Sequence, residues 1–130
     1  GAPSIIRELV QGDLSKIDAK IVGQAAKQGD TVAVEQLAYA GRIIGIGIVV
    51  LLHLFNPEII VIGGGVSKTG DFLFKPMRKA ISEHVLDEAY IENLKIEKSA
   101  LADDVALVGA AALVATEGGR MDVSEVTKLL

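Results

Sequence analysis

Three consecutive glycines, Gly63-Gly64-Gly65, stand directly behind the most strand-like run of the chain, Glu58-Ile59-Ile60-Val61-Ile62. In open α/β sheets, ligands gather at the carboxyl ends of parallel strands. Residues without side chains let a flat ring or a ribose approach the backbone there, and their amides can donate to a phosphate. An ordinary turn that needs positive φ would use the same glycines, so spacing alone leaves both readings open. Two familiar nucleotide loops are excluded. No Gly-Lys-Ser/Thr follows the triplet, as a Walker A loop requires, and no G-x-G-x-x-G fingerprint occurs.

The other polar candidates are weaker. His53 lies inside an apolar helical stretch and His84 beside Glu83 and Asp87, and neither has a second metal ligand at a recognisable spacing. The simplest roles are a core or cap histidine bonded to backbone for His53 and a surface residue for His84. Asp103-Asp104 could be a carboxylate pair for acid–base work, but its place favours capping the helix that starts at Val105. The run Gly109-Ala110-Ala111-Ala112 suits a close helix contact better than a ligand site. With no cysteine, thiol nucleophiles, disulfides and thiolate metal sites are excluded.

The elements that must position the triplet follow from periodicity. Ser4 can cap a short helix over Ile5 to Val10, and a second helix is expected from Ser15 or Lys16 to Gln28. Gly29-Asp30 closes it, and Asp30 can cap a third helix over Thr31 to Phe55. Gly41 and Gly45 lie one turn apart on that helix; each costs about 1 kcal/mol against alanine, so another element is expected against the bare backbone. Asn56-Pro57 ends it. Ile59 to Ile62 is β-branched on both faces, which predicts a strand covered on both sides, as in a parallel sheet. A helix is expected from about Gly70 to Asp87, then a strand from Leu94 to Lys98 that alternates Leu94 and Ile96 with Lys95 and Glu97. A helix follows Asp103-Asp104 to about Thr116, and Asp122 to Leu130 reads as a weakly held amphipathic segment.

Helix, strand, helix, strand, helix implies an α/β crossover with about two parallel strands. Two strands make a poor sheet, and a fully apolar one needs neighbours. The expectation is a piece of a larger domain that associates with itself through exposed edges. The opening Gly1-Ala2-Pro3-Ser4 has no methionine and no basic, apolar leader, which fits such a piece. Half of the 130 residues are hydrophobic and 23% charged, so disorder is not the main reading. A net charge of −4 without a basic stripe argues against nucleic-acid binding by this chain. The apolar run Ile43 to Leu52 falls short of the roughly 20 residues of a membrane span, so no membrane partner is expected. The absence of cysteine suits a cytoplasmic protein.

The run from Asn56 through Ser67, Asn-Pro-Glu-Ile-Ile-Val-Ile-Gly-Gly-Gly-Val-Ser, resembles the C-terminal signature of ROK family sugar kinases and repressors. Gly45-Ile46-Gly47 through Leu54-Phe55 resembles the long helix leading into it, and Ala100 through Ala111 resembles the family's last block. Gly1 through Arg7 is similar to the stretch that follows the family's cysteine-rich zinc motif. The resemblance implies the later part of the second domain of an actin-like, ribonuclease-H-like fold over residues 1–117, with 118–130 an extension. It also implies phosphoryl transfer from Mg-ATP to a hexose, glucose first among several sugars, by a homo-oligomeric intact protein. Gly63, Gly64 and Gly65 would then line the adenosine side of the ATP cleft, with Ser67 close enough to reach ribose or phosphate. The family's Asp-x-Gly-Gly-Thr loop, base aspartate and zinc cluster have no counterpart among these residues. No catalytic residue and no metal ligand is therefore assigned here, zinc is expected only outside this stretch, and the chain alone is expected to be inactive. The alternative is the same part of a ROK transcriptional repressor.

Overall fold

The computed structural model describes residues 3–100, 105–116, 118 and 120. Helix α1 (Ile6–Leu9) leads into α2 (Ala19–Lys27) and the long α3 (Thr31–Phe55). Strand β1 (Ile59–Ile62), helix α4 (Asp71–His84), strand β2 (Lys95–Lys98) and helix α5 (Val105–Ala115) complete the order. The expected β–α–β unit is present. β1 and β2 pair in parallel, with Ile60 opposite Ile96 and Val61 opposite Glu97.

Local chemistry sets most of the boundaries. Two aspartates five residues apart each start a turn of their own, so α2 begins later than periodicity suggests. Asp13 accepts from the Ser15 amide and holds a short 3-10 turn, Leu14–Lys16. Asp18 accepts from the Ile21 amide at 2.8 Å and caps α2. Similarly, α4 stops at His84 because Val85 is extended and Asp87 caps a separate turn, Glu88–Tyr90. Asn56, at φ 44°, takes up the left-handed residue that ends α3. The aspartates at 103 and 104 and the segment 122–130 lie outside the described residues.

Asp30 ties three helices together. Its Oδ1 accepts from the Ala33 amide at 2.8 Å, capping α3, while Oδ2 accepts from the Ile5 amide at 2.7 Å at the head of α1. It also follows Gly29, which closes α2 at φ 84°. The Ala33 amide, and to a lesser degree the Ile5 amide, hold its carboxyl below the usual carboxylate range. A depressed folded-state value means the contribution to stability is present above the unfolded value and lost as pH falls through the folded one. Thermal denaturation over an acid series should show wild type losing more stability than Asp30→Asn, whose amide still caps but does not titrate.

The packing centre lies between α3 and α4. Gly41 and Gly45 let the helices touch backbone to backbone: a Cβ on Gly41 would collide with the Leu73 carbonyl. One on Gly45 would sit 2.5 Å from the Met77 carbonyl oxygen and 2.8 Å from Ala80 Cβ. Ile48, Val49 and Leu52 of α3 then meet Met77 and Ile81 of α4 and Ile96 of β2, with Ile60 and Ile62 packed alongside. Arg78 of α4 donates to the Ile96 carbonyl at 2.8 Å, fixing the helix to the strand it feeds. A second cluster, Ala25, Ala26, Ala33 and Leu37, joins α2 to α3. Helix α3 is long and apolar enough to cross a membrane by length and composition, and 33% of that stretch is buried; packing along α4 accounts for the buried part.

One expectation for the sheet is corrected. Only the Ile60–Ile62 face of β1 is covered; Ile59 and Val61 are 52% and 58% exposed. Among the described residues no element packs over that face. β2 behaves as its alternation predicts, with Ile96 buried and Lys95, Glu97 and Lys98 exposed.

Candidate functional site

The glycine turn grows directly from the end of β1, where the Ser99 amide donates to the Ile62 carbonyl at 2.9 Å and carries the ladder to the last strand residue. Gly63 comes next, and Gly64 then adopts φ 84°, ψ 170°, a region essentially closed to residues with a Cβ. A 3-10 turn, Gly65–Thr69, runs to Gly70, whose φ of 62° redirects the chain into α4. The three glycines are exposed.

Two hydroxyls shape the turn. Ser67 Oγ donates to the Gly64 carbonyl at 2.7 Å and Thr69 Oγ1 to the Val66 carbonyl at 2.7 Å. Both residues are buried, Ser67 to 2% exposure. The Ser67 hydroxyl is thus spent on the backbone of its own turn, which makes it a shaping residue in this structure.

Helix α2 lies against this turn. Gly23 faces Thr69, whose Cγ2 would be 3.0 Å from a Cβ at position 23. Between the two elements opens a cavity of about 570 Å³, lined by Lys20, Gln24 and Lys27 of α2 and by Gly65, Lys68 and Thr69 of the turn. Among the described lining residues, Lys20 and Lys27 of α2 outnumber the Asp18 carboxylate, a balance suited to an anionic ligand. The contribution of α2 is what the sequence reading missed. Its available signals were a glycine in mid-helix, which is costly without a close neighbour, and the lysines two and nine residues after the Asp18 cap.

The glycines divide by role. Gly64 is required by backbone conformation. Gly65 is not: it lacks positive φ, and a Cβ there would meet nothing within 4 Å. Gly64→Ala should therefore cost of order 1–3 kcal/mol, whereas Gly65→Ala should leave stability unchanged; denaturant titration of both variants checks the contrast. Among the described residues the fold gives no reason for Gly65 to be bare.

The two histidines have structural roles, whereas a Cβ on Gly109 would meet nothing within 4 Å among the described residues, so Gly109 makes none of the close helix contact expected of it. His53 Nε2 accepts from the Leu86 amide at 3.2 Å, and its ring meets Tyr90 edge-on at 5.0 Å. His84 is exposed and its Nδ1 lies 2.9 Å from the Ala80 carbonyl. Among the described residues no group of His, Asp or Glu side chains converges as a metal site, and Asp18, the acid at the cavity, already caps α2. The described residues thus offer no ligand set for magnesium or zinc.

A sequence model of the ROK family matches residues 3–117. The chain belongs to the ROK family. Glucokinases and transcriptional repressors both stand among its relatives. The glucokinase of Thermotoga maritima is 32% identical over 103 residues, covering 79% of this chain and 32% of that protein. The xylose repressor of Caldicellulosiruptor bescii is 32% identical over 124 residues, covering 88% of this chain and 31% of that protein. The crystal structure of a ROK family glucokinase from Streptomyces griseus, in complex with glucose and AMPPNP, superposes with a TM-score of 0.73 at 32% identity. That match covers 84% of this ROK chain and 35% of the glucokinase. The chain thus spans about a third of the length of the relatives it matches. Its two parallel strands and flanking helices are an α/β portion of the actin-like fold shared by the ROK sugar kinases.

Proposed function

We propose that this chain is the C-terminal, nucleotide-binding part of an ATP-dependent sugar kinase of the ROK family, a glucokinase-like transferase acting on a hexose in the cytoplasm. Gly63, Gly64 and Gly65 form the adenosine side of the ATP cleft, and Ser67 holds their backbone in shape. The carrying observation is Gly65, bare without a conformational or steric reason among the described residues and set at the mouth of a cavity lined by lysines. A nucleotide whose ring or ribose lies against that backbone supplies the reason. Support also comes from a relative crystallised with glucose and AMPPNP.

In such a reaction the γ-phosphoryl passes to a sugar hydroxyl, and catalysis rests on positioning and charge stabilisation. This chain's share is to bind and orient the nucleotide. Magnesium carried in with ATP would neutralise phosphate charge without ligands from the described residues, and the sugar and the base that orients its hydroxyl have no residues assigned here. The 130-residue chain alone is expected to show no sugar phosphorylation.

Calorimetric titration with ADP tests the reading. Saturable binding by wild type, lost in Gly65→Val at unchanged thermal stability, is the expected result. Wild-type binding that Gly65→Val leaves intact would remove the triplet from the site. No binding by wild type would favour the second reading, a ROK repressor part, for which the equal identity to a xylose repressor speaks.

A further inference from the structure

The turn that carries Gly63, Gly64 and Gly65 is not held by the sheet alone. It leaves β1 at Ile62, whose carbonyl accepts from the Ser99 amide at the end of the described ladder. Thr69 ends the turn from the other side. It is 6% exposed, its Oγ1 donates to the Val66 carbonyl at 2.7 Å, and its methyl group faces the bare backbone of Gly23 in mid-α2. One side chain therefore joins the inner hydrogen bonding of the turn to the helix forming the opposite wall of the cavity.

The fit at that joint is tight. A Cβ on Gly23 would stand 3.0 Å from Thr69 Cγ2 and 3.9 Å from its Cβ, with no third neighbour within 4 Å. Contact carbons sit at about 3.5–4.0 Å, so a methyl at position 23 must move either α2 or the turn by about half an ångström. α2 is anchored through Ala25 and Ala26, both fully or nearly fully buried against α3. On its cavity side the turn is open at Gly65, where no described atom lies within 4 Å of a Cβ placed there. Displacement therefore falls on the turn.

We infer that Thr69 is a positioning residue for the glycine turn, with its hydroxyl setting the turn's shape and its methyl setting the distance to α2 through Gly23. The inference rests on the nucleotide reading for its functional consequence, but not for its geometry. If the cleft takes a nucleotide, the Thr69–Gly23 contact sets the gap between its two walls, and either residue changes affinity without touching the ligand's reactive end.

The experiment uses the whole 130-residue chain and two readouts. The first, independent of any nucleotide, is the amide resonances of Gly64 and Gly65. Gly23→Ala should shift both, and the double variant Gly23→Ala/Thr69→Ser, which deletes the methyl in the way, should return them toward wild type. Thr69→Val, which keeps the shape and removes the hydroxyl, should shift them, while Thr69→Ser alone should shift them little. The second readout is ADP affinity. It should fall between about threefold and tenfold in Thr69→Val, the range for one lost hydrogen bond, and recover in Thr69→Ser. Unmoved resonances in both Gly23→Ala and Thr69→Val, or a double variant no nearer wild type than Gly23→Ala, would overturn the inference. Moved and rescued resonances in a chain that binds no ADP would uphold the joint and sink the nucleotide reading instead.

Discussion

Gly45→Ala should lower the stability of this chain by about 2 kcal/mol, although alanine is the better helix former. Two effects compete. Removing a glycine from a helix interior recovers about 1 kcal/mol of backbone entropy. Against this, the new methyl would stand 2.5 Å from the Met77 carbonyl oxygen and 2.8 Å from Ala80 Cβ. Overpacking costs about 1–3 kcal/mol where side chains can yield; here one obstacle is helix backbone, so the upper end applies and the penalty wins. Gly41→Ala should behave alike, because its methyl would meet the Leu73 carbonyl. Gly47, two residues along the same helix, has nothing within 4 Å. Gly47→Ala should therefore gain up to about 1 kcal/mol. Urea denaturation of the three variants measures the opposite signs directly. Equal changes at positions 45 and 47 would mean that α3 and α4 do not touch through their glycines.

That contrast marks how much the sequence could tell. Gly41 and Gly45, one turn apart in an otherwise strong helix, announced a close partner, and α4 is that partner. Asp30, Asn56 and the strand–glycine junction were legible because each is local chemistry: a cap, a left-handed terminator, a strand end. The boundaries of α2 and α4 were not, since a second capping aspartate, Asp18 or Asp87, restarts a turn that periodicity alone would run through. The site was half visible for the same reason. Gly63 to Gly65 stand together in sequence, whereas Lys20, Gly23 and Gln24 reach them only through the packing of α2 on the turn. The shaping role of Ser67 went unread, although a hydroxyl three residues after a carbonyl has a backbone partner closer than any ligand.

In solution the 130-residue chain should associate with itself. β1 offers Ile59 and Val61 on an uncovered face, and the end of α3 adds Leu54 and Phe55, 68% and 72% exposed. On α5, Leu107, Leu113 and Val114 are exposed as well. Exposed apolar side chains and, among the described residues, unpaired strand edges both promote contact between copies, and a net charge of −4 on a chain this size gives only modest repulsion. The parallel register supplies a way to test the sheet face without unfolding it. Ile59 lies opposite Lys95 and Val61 opposite Glu97, so Ile59→Glu with Val61→Lys places each new charge beside an opposite one, a favourable cross-strand pair. Light scattering should show wild-type mass rising with concentration above the 13.6 kDa of one chain, and the double variant staying closer to it. A wild-type chain at the mass of one copy over the whole concentration range would show that these faces are too small or too scattered to drive association. If instead both proteins associate equally, the contact runs through α5 or the end of α3, because the paired charges remove only the β1 face.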